Sequence, residues 1–124
     1  TDITGFGLLA HALEMAGEHA TLLIRPHDLP VLPGALQYAA DYLLTAAGQR
    51  NRNHLAGKCD VTHVPFAYQE ILFDPQTSGG LLIAVEREQA NDLLADIQTT
   101  DPDARLIGEV LPKQAQPLQM EVPE

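Results

Sequence analysis

Apolar residues recur at helical spacing in several stretches of the chain. The first stretch predicts an amphipathic helix with Thr4 as its N-cap and Gly17 as its stop. The positions that share the apolar face of this helix are Phe6, Leu9, Ala10, Leu13 and Ala16. The same periodicity predicts helices over 34–44 and 87–98, and residues 66–73 are typical of a short helix or turn.

Short apolar runs bounded by turn residues predict strands. Residues 21–25 form one such run, and residues 81–85 have the composition of a buried strand. The runs 105–111 and 117–122 predict two closing strands that pair with each other as a hairpin. Because strands and helices interleave, the expected fold class is α+β, with helices packed on a mixed β-sheet.

The composition favours a single globular domain over residues 1–124. No apolar run is long enough to span a membrane, and a net charge of −10 argues against a nucleic-acid-binding surface, since that needs clustered Lys and Arg. The single cysteine, Cys59, excludes an intrachain disulfide and favours a cytoplasmic location. The first residue is Thr1 rather than methionine, so we expect a domain of a longer protein.

The stretch Asp74-Pro75-Gln76-Thr77-Ser78-Gly79-Gly80 stands directly before the predicted strand at 81–85. Proline fixes its own φ, glycines admit backbone conformations closed to other residues, and hydroxyls bond locally. Such a loop can present backbone N–H groups to an anion, but a purely structural turn uses the same residues. The sequence alone leaves both interpretations open for Thr77, Ser78, Gly79 and Gly80.

A second candidate is Asp2, within Thr1-Asp2-Ile3-Thr4-Gly5-Phe6-Gly7. A carboxylate beside a helix N-terminus can serve as a cap or as a ligand of a hard cation such as Mg²⁺ shared with substrate phosphates. Gly5 and Gly7 would let a phosphate approach the backbone. The spacing matches neither a P-loop nor a complete dinucleotide fingerprint.

The third candidate is the polar stretch 45–54, which holds Arg50, Asn51, Arg52 and His54. We interpret it either as a solvated loop or as a loop that contacts a phosphate or carboxylate by charge-assisted hydrogen bonds. The five histidines show no metal-binding spacing, and His11 is expected to form a surface pair with Glu14. Cys59 is interpreted as an incidental thiol, and Ser78 does not fit a nucleophile elbow.

Two segments together resemble signatures of the selenophosphate synthetase (selenide, water dikinase) family. They are Thr1-Asp2-Ile3-Thr4-Gly5-Phe6-Gly7-Leu8-Leu9 and Asp74-Pro75-Gln76-Thr77-Ser78-Gly79-Gly80-Leu81-Leu82. Between them, Ala47-Gly48-Gln49-Arg50-Asn51 resembles the family's Gly/Ala-Gly-x-x-Arg-Asn loop, with Ala46 where a proline is expected. The resemblance covers essentially the whole chain and implies the C-terminal domain, with the α/β/α layers known from aminoimidazole ribonucleotide synthetase.

The resemblance implies a reaction in which ATP, selenide and water give selenophosphate, AMP and orthophosphate. It also implies Mg²⁺ bound by several aspartates, of which Asp2 matches the one in the C-terminal domain, with phosphates near Thr4, Gly5, Phe6 and Gly7. The nucleophile and lysine would belong to an N-terminal domain, so no catalytic residue is expected in this chain. The partners implied are that domain and a second copy in a homodimer, and the chain alone is expected to be inactive and monomeric.

Two alternatives stay open at this stage. One is another ATP-dependent enzyme of the same superfamily, similar to aminoimidazole ribonucleotide synthetase or to the hydrogenase maturation protein HypE. The other is a non-catalytic scaffold or binding module that kept the fold and lost the chemistry.

Overall fold

The computed structural model describes all of residues 1–124 and has an α+β fold. Five α-helices, a single turn of 3₁₀-helix and three strands follow one another along the chain. Their bounds are α1 Gly7–Ala16, β1 Ala20–Ile24, a 3₁₀ turn Pro26–Asp28, α2 Ala35–Ala40, α3 Ala46–His54, α4 Phe66–Phe73, α5 Arg87–Gln98, β2 Gly108–Pro112 and β3 Leu118–Met120. The expected class, helices packed on a mixed sheet, is confirmed.

The sheet has the order β2-β1-β3, with β1 antiparallel to β2 and parallel to β3. The predicted hairpin between the two closing strands is therefore wrong, because β1 lies between them. The Thr21 hydroxyl, on a fully buried residue, donates to the Gln116 carbonyl at 3.0 Å and accepts from the Gln114 N–H at 2.9 Å. These two hydrogen bonds hold the segment that connects β2 to β3 against the end of β1.

The core lies between the sheet and helices α1 and α4. One core cluster contains Leu22 and Ile24 of β1 together with three completely buried residues, Leu9 of α1, Leu72 of α4 and Leu118 of β3. On the opposite face of the sheet, Arg87 at the start of α5 pairs with Glu109 of β2. The short aliphatic side chains of the sequence thus supply nearly all of the packing.

The ends of two helices depart from the sequence prediction. The hydroxyl of Thr4 does not cap α1; it bonds Nε2 of His11 at 3.1 Å, and the N-cap residue is Phe6. Gly17 does end α1, as predicted, with a φ of 58° and its N–H on the Leu13 carbonyl. Helix α2 is shorter than expected, because Tyr42 adopts a φ of 64° that no helix can contain.

Two segments differ in kind from the prediction. Residues 46–54 were expected as a loop but form α3, whose N-cap Thr45 accepts the Gly48 N–H at 3.0 Å. Residues 81–85 are not a buried strand: their only pairing is a bridge between Leu81 and Asp2, and Leu81 is 73% exposed. With a single short partner, this segment extends along the surface, and of its residues only Leu82 packs against the core cluster.

Helix α5 occupies the predicted range, but none of its residues is buried. Its apolar positions Leu93, Leu94 and Ile97 are only half-covered and lie outside the main core cluster. No helix of the chain is long and apolar enough to cross a bilayer.

A candidate metal and phosphate site at the glycine-rich turn

The structure brings the first and the second sequence motif side by side. Four backbone hydrogen bonds join residues 1–4 to residues 76–82, at 2.8–3.0 Å. They link Ile3 N to Gly80 O, Leu82 N to Thr1 O, the Thr1 amino group to Leu82 O, and Gln76 N to Thr4 O. Segments far apart in sequence therefore form one surface.

Gly79 is required where the two motifs touch. A Cβ built on Gly79 would overlap the carbonyl oxygen of Ile3 and would lie 2.9 Å from Cβ of Gln76. Around Gly80, in contrast, no heavy atom lies within 4 Å of such a Cβ. The hydroxyls of Thr77 and Ser78 are exposed and make no hydrogen bond within the chain. Of the four loop residues, Gly79 has an evident structural role.

The Gly5-Phe6-Gly7 turn leads from this surface into α1. Gly7 has a φ of +82°, and a Cβ on it would lie 2.9 Å from the Phe73 carbonyl oxygen and 3.0 Å from that of Asp74. Its N–H donates to the Thr4 carbonyl, whereas the N–H groups of Gly5 and Phe6 have no acceptor within the chain. Gly7 therefore fits the turn against the end of α4, and Gly5 and Phe6 offer the free donors.

Asn51 holds the turn from behind. Its side chain is buried, and its Nδ2 donates to the Gly5 carbonyl at 3.1 Å and to the Phe73 carbonyl at 2.9 Å. Since an amide group has two N–H donors, both are used. The structure places Asn51 in the wall of the candidate site, with no donor left for an anion.

The two arginines of α3 have different surroundings. Arg52 donates to Gln69 at 3.0 Å and to Glu70 at 2.6 Å, and its guanidinium lies 4.7 Å from the centre of the Phe73 ring. This side chain ties α3 to α4. Arg50 is exposed and has no hydrogen-bond or ion-pair partner in the chain.

Sequence reasoning missed the contact between Thr45 and Asp74. The Thr45 hydroxyl donates to Oδ1 of Asp74 at 3.2 Å while it caps α3. Partial burial raises the pKa of Asp74, the Thr45 hydrogen bond opposes this rise, and nearby Glu70 adds to it. Threonine is a preferred N-cap residue, but the glycine and asparagines that follow Thr45 have low helix propensity, so the sequence gives only a weak helix signal.

Asp2 is exposed and belongs to no group of three or more His, Cys, Asp or Glu side chains that could enclose a metal. One carboxylate supplies one ligand, and Mg²⁺ sites in proteins commonly combine one or two carboxylates with water and substrate phosphate oxygens. Asp2 fits a shared site of that kind as a single ligand. It does not fit a closed metal site built from this chain alone.

Two sequence interpretations concern other titratable residues. His11 is buried rather than on the surface as expected, with Nδ1 3.7 Å from Glu14. Burial raises the pKa of the Cys59 thiol to about 12, and the adjacent Asp60 adds to the rise. A thiol with so high a pKa is protonated at neutral pH and is a poor nucleophile, which supports the interpretation as an incidental thiol.

A comparison with known domain families identifies the class of this domain. Residues 1–120 match the family described as AIR synthase related protein, C-terminal domain. The chain belongs to this family. In this member of the family the domain has an α+β architecture, and a glycine-rich turn precedes its first helix.

Several curated relatives of the chain share the name selenide, water dikinase. The chain is 55% identical over 118 residues to a selenide, water dikinase of Desulfitobacterium hafniense (strain DSM 10664 / DCB-2). It is 43% identical to the selenide, water dikinase of Agathobacter rectalis and 40% identical to that of Clostridioides difficile. These matches cover 91–95% of this chain but only 33–35% of each relative. The chain thus spans about a third of the length of the curated relatives it matches.

Proposed function

We propose that this chain is the C-terminal domain of a selenide, water dikinase. The complete enzyme would convert ATP, selenide and water to selenophosphate, AMP and orthophosphate. The observation that carries the proposal is the placement of the exposed Asp2 carboxylate. Asp2 stands directly before Ile3, whose N–H donates to the Gly80 carbonyl, and three residues before Gly5, whose N–H is free. The relatives at up to 55% identity support the particular reaction.

In this proposal the chain contributes binding groups rather than a nucleophile. Asp2 would be one ligand of Mg²⁺, and the N–H groups of Gly5 and Phe6 would donate to phosphate oxygens at the N-terminus of α1. When bound, Mg²⁺ would neutralise phosphate charge during phosphoryl transfer. Phosphoryl transfer needs mainly positioning and charge neutralisation. Because bound Mg²⁺ would supply the positive charge, a chain with a net charge of −10 could still hold ATP.

The other assigned residues would act as supports. Thr4 and Gly7 fix the turn, since the Thr4 carbonyl accepts the N–H groups of both Gly7 and Gln76. Asn51 and Gly79 form the wall behind it. Thr77, Ser78 and Gly80 lie on the exposed side of that wall, where their surfaces are open to ligand.

The proposal includes the partners of the chain. A preceding domain would supply the nucleophile, a lysine and further aspartates, and would form the homodimer. The relatives, about three times longer than this chain, leave room for such a domain. We therefore expect the isolated chain to be a monomer that does not turn over ATP.

The test uses a full-length protein that carries this chain as its C-terminal domain. Asp2→Ala should lower selenide-dependent AMP formation by about 10²–10³-fold, the scale expected when one directly acting electrostatic group is removed. Asp92→Ala, which removes an exposed carboxylate on α5, is the matched control and should keep full activity. Near-normal activity of Asp2→Ala, in a protein that folds normally, would exclude the metal role.

A further inference from the structure

A groove of about 500 Å³ lies between α1 and α3, next to the glycine-rich turn. Its floor is apolar and comes from Ala10, Leu13 and Leu55. At one end stands the ring of Phe6, which is 61% exposed and 6.0 Å from the ring of His11. The volume is within the usual range for sites that hold small organic molecules.

The groove contains the one arginine whose guanidinium has no partner in the chain. Arg25, Arg52 and Arg87 each pair with glutamate, and Arg105 donates to the carbonyls of Pro102 and Ala104. Arg50 has no such contact and lines the groove. In a chain of net charge −10, an arginine left without a carboxylate is unexpected on electrostatic grounds alone.

The charges at the two sides of the groove differ, and this sets the orientation of a ligand. Arg50 and His54 project from α3, one helical turn apart on the same face. Glu14, 67% exposed, lies on the α1 side and is already close to His11. An anionic group is therefore favoured on the α3 side and disfavoured on the α1 side.

We infer that this groove is a binding site for a small aromatic phosphate, whose phosphate pairs with Arg50 and whose ring lies on the apolar floor beside Phe6. A planar guanidinium binds a phosphate through two parallel hydrogen bonds, which a lysine cannot do. The exposed Phe6 ring offers a face on which a flat ring can stack. This site goes beyond the proposed metal and phosphate turn and does not depend on it, since the groove uses the side chain of Phe6 and the turn uses its backbone.

Phenyl phosphate is the direct probe, titrated into the ¹⁵N-labelled chain and followed by amide chemical shifts. The site predicts saturable shifts at residues of α1 and α3 and a Kd of roughly 1 mM, the order expected for a ligand of this size. Inorganic phosphate, which lacks the ring, should bind at least about five-fold more weakly. AMP, added in a parallel titration, shows whether a nucleotide supplies the same chemistry.

Variants identify the groups that bind. Arg50→Gln should raise the Kd for phenyl phosphate by at least about ten-fold, because it removes a charge-assisted pair. Phe6→Ala should raise it several-fold while leaving the weaker binding of inorganic phosphate unchanged. The matched control Arg105→Gln, which removes an exposed arginine outside the groove, should leave the Kd within about two-fold.

Three results would overturn the inference. They are equal binding by wild type and Arg50→Gln, equal binding of phenyl phosphate and inorganic phosphate, and shifts confined to residues outside α1 and α3. A dispersed amide spectrum of each variant verifies that it is folded. Asp2→Ala should not change the Kd for phenyl phosphate. The proposal for the groove and the proposal for the metal site can therefore fail independently of each other.

Discussion

Two parts of the chain are held together in different ways. The glycine junction (residues 1–16, 45–55 and 66–82) is joined by specific hydrogen bonds and by backbones that touch where glycines permit it. The outer segment (residues 83–98) has no buried residue in its helix and is linked to the sheet by the Arg87–Glu109 pair. Precise placement of residues is therefore concentrated where the candidate site lies, whereas the outer segment is held loosely.

Truncation of a leucine in each part should show the largest contrast. Leu9→Ala removes a completely buried side chain of α1 and should lower the free energy of unfolding by about 3–4 kcal/mol. Leu94→Ala acts on a half-exposed side chain of α5 and should cost about 1 kcal/mol or less. Urea unfolding followed by circular dichroism measures both. Equal losses would contradict the distinction between the two parts.

The two neighbouring glycines of the loop give a sharper contrast. Gly79→Ala places a methyl group against the Ile3 carbonyl and should cost about 3 kcal/mol, because the backbones must separate. Gly80→Ala meets no atom within 4 Å and has no positive φ, so it should be close to neutral. Thermal unfolding compares them. If both variants lost the same stability, close contact at Gly79 would not be the reason for glycine there.

Asn51 tests the polar part of the junction. Asn51→Ala removes the donor shared by the Gly5 and Phe73 carbonyls and should cost about 2 kcal/mol. It should also speed amide hydrogen exchange in the turn. Asn53→Ala on the exposed side of the same helix is the control and should change stability by less than about 0.5 kcal/mol. If Asn53→Ala lost as much stability as Asn51→Ala, the hydrogen bonds of Asn51 would not explain the loss.

Asp74 should show the smallest effect, and one that depends on pH. Its pKa is raised in the folded chain, so the folded state holds the proton more tightly than the unfolded state does. Stability from this group is therefore present below the usual aspartate pKa and falls as pH rises through the folded pKa. Asp74→Asn, which removes the charge and keeps the acceptor for Thr45, should raise stability at pH 7 by under about 1 kcal/mol, since solvent screens a half-exposed group.

Below the usual aspartate pKa, near 3.8, the difference between wild type and Asp74→Asn should disappear. Unfolding measured across this pH range gives the answer. A variant less stable than wild type at pH 7 would show that the ionised carboxylate stabilises the fold.

Much of the fold could be predicted from local pattern. Helices α1 and α5 were predicted from the helical spacing of their apolar residues, with Gly17 as the end of α1, and strand β1 was predicted from a short apolar run. Helix α3 was missed since its stability comes from the Thr45 cap and from contacts of Asn51 and Arg52, not from an apolar stripe. The hairpin was wrong because pairing with β1 depends on tertiary contacts that no short stretch of sequence contains.

The candidate site was predictable in its residues and less so in their roles. The two motifs were identified from their types and order, and the structure places them in contact. Arg50 and Asn51, adjacent in α3, received one common interpretation. Both line the groove, yet Asn51 donates to carbonyls of the junction, whereas Arg50 has no partner in the chain. The direction in which a helical residue points depends on where the helix packs. Helix α3 has no apolar stripe, so the sequence predicted neither the helix nor the face on which it packs.

The most direct test of the central claim is an exchange of domains. The matching third of the Desulfitobacterium hafniense selenide, water dikinase would be replaced by this chain, and AMP release from ATP would be measured with and without selenide. We expect selenide-dependent AMP release within about ten-fold of the parent enzyme. A folded hybrid that releases no AMP, or releases it equally without selenide, would contradict the assignment of this chain to that reaction.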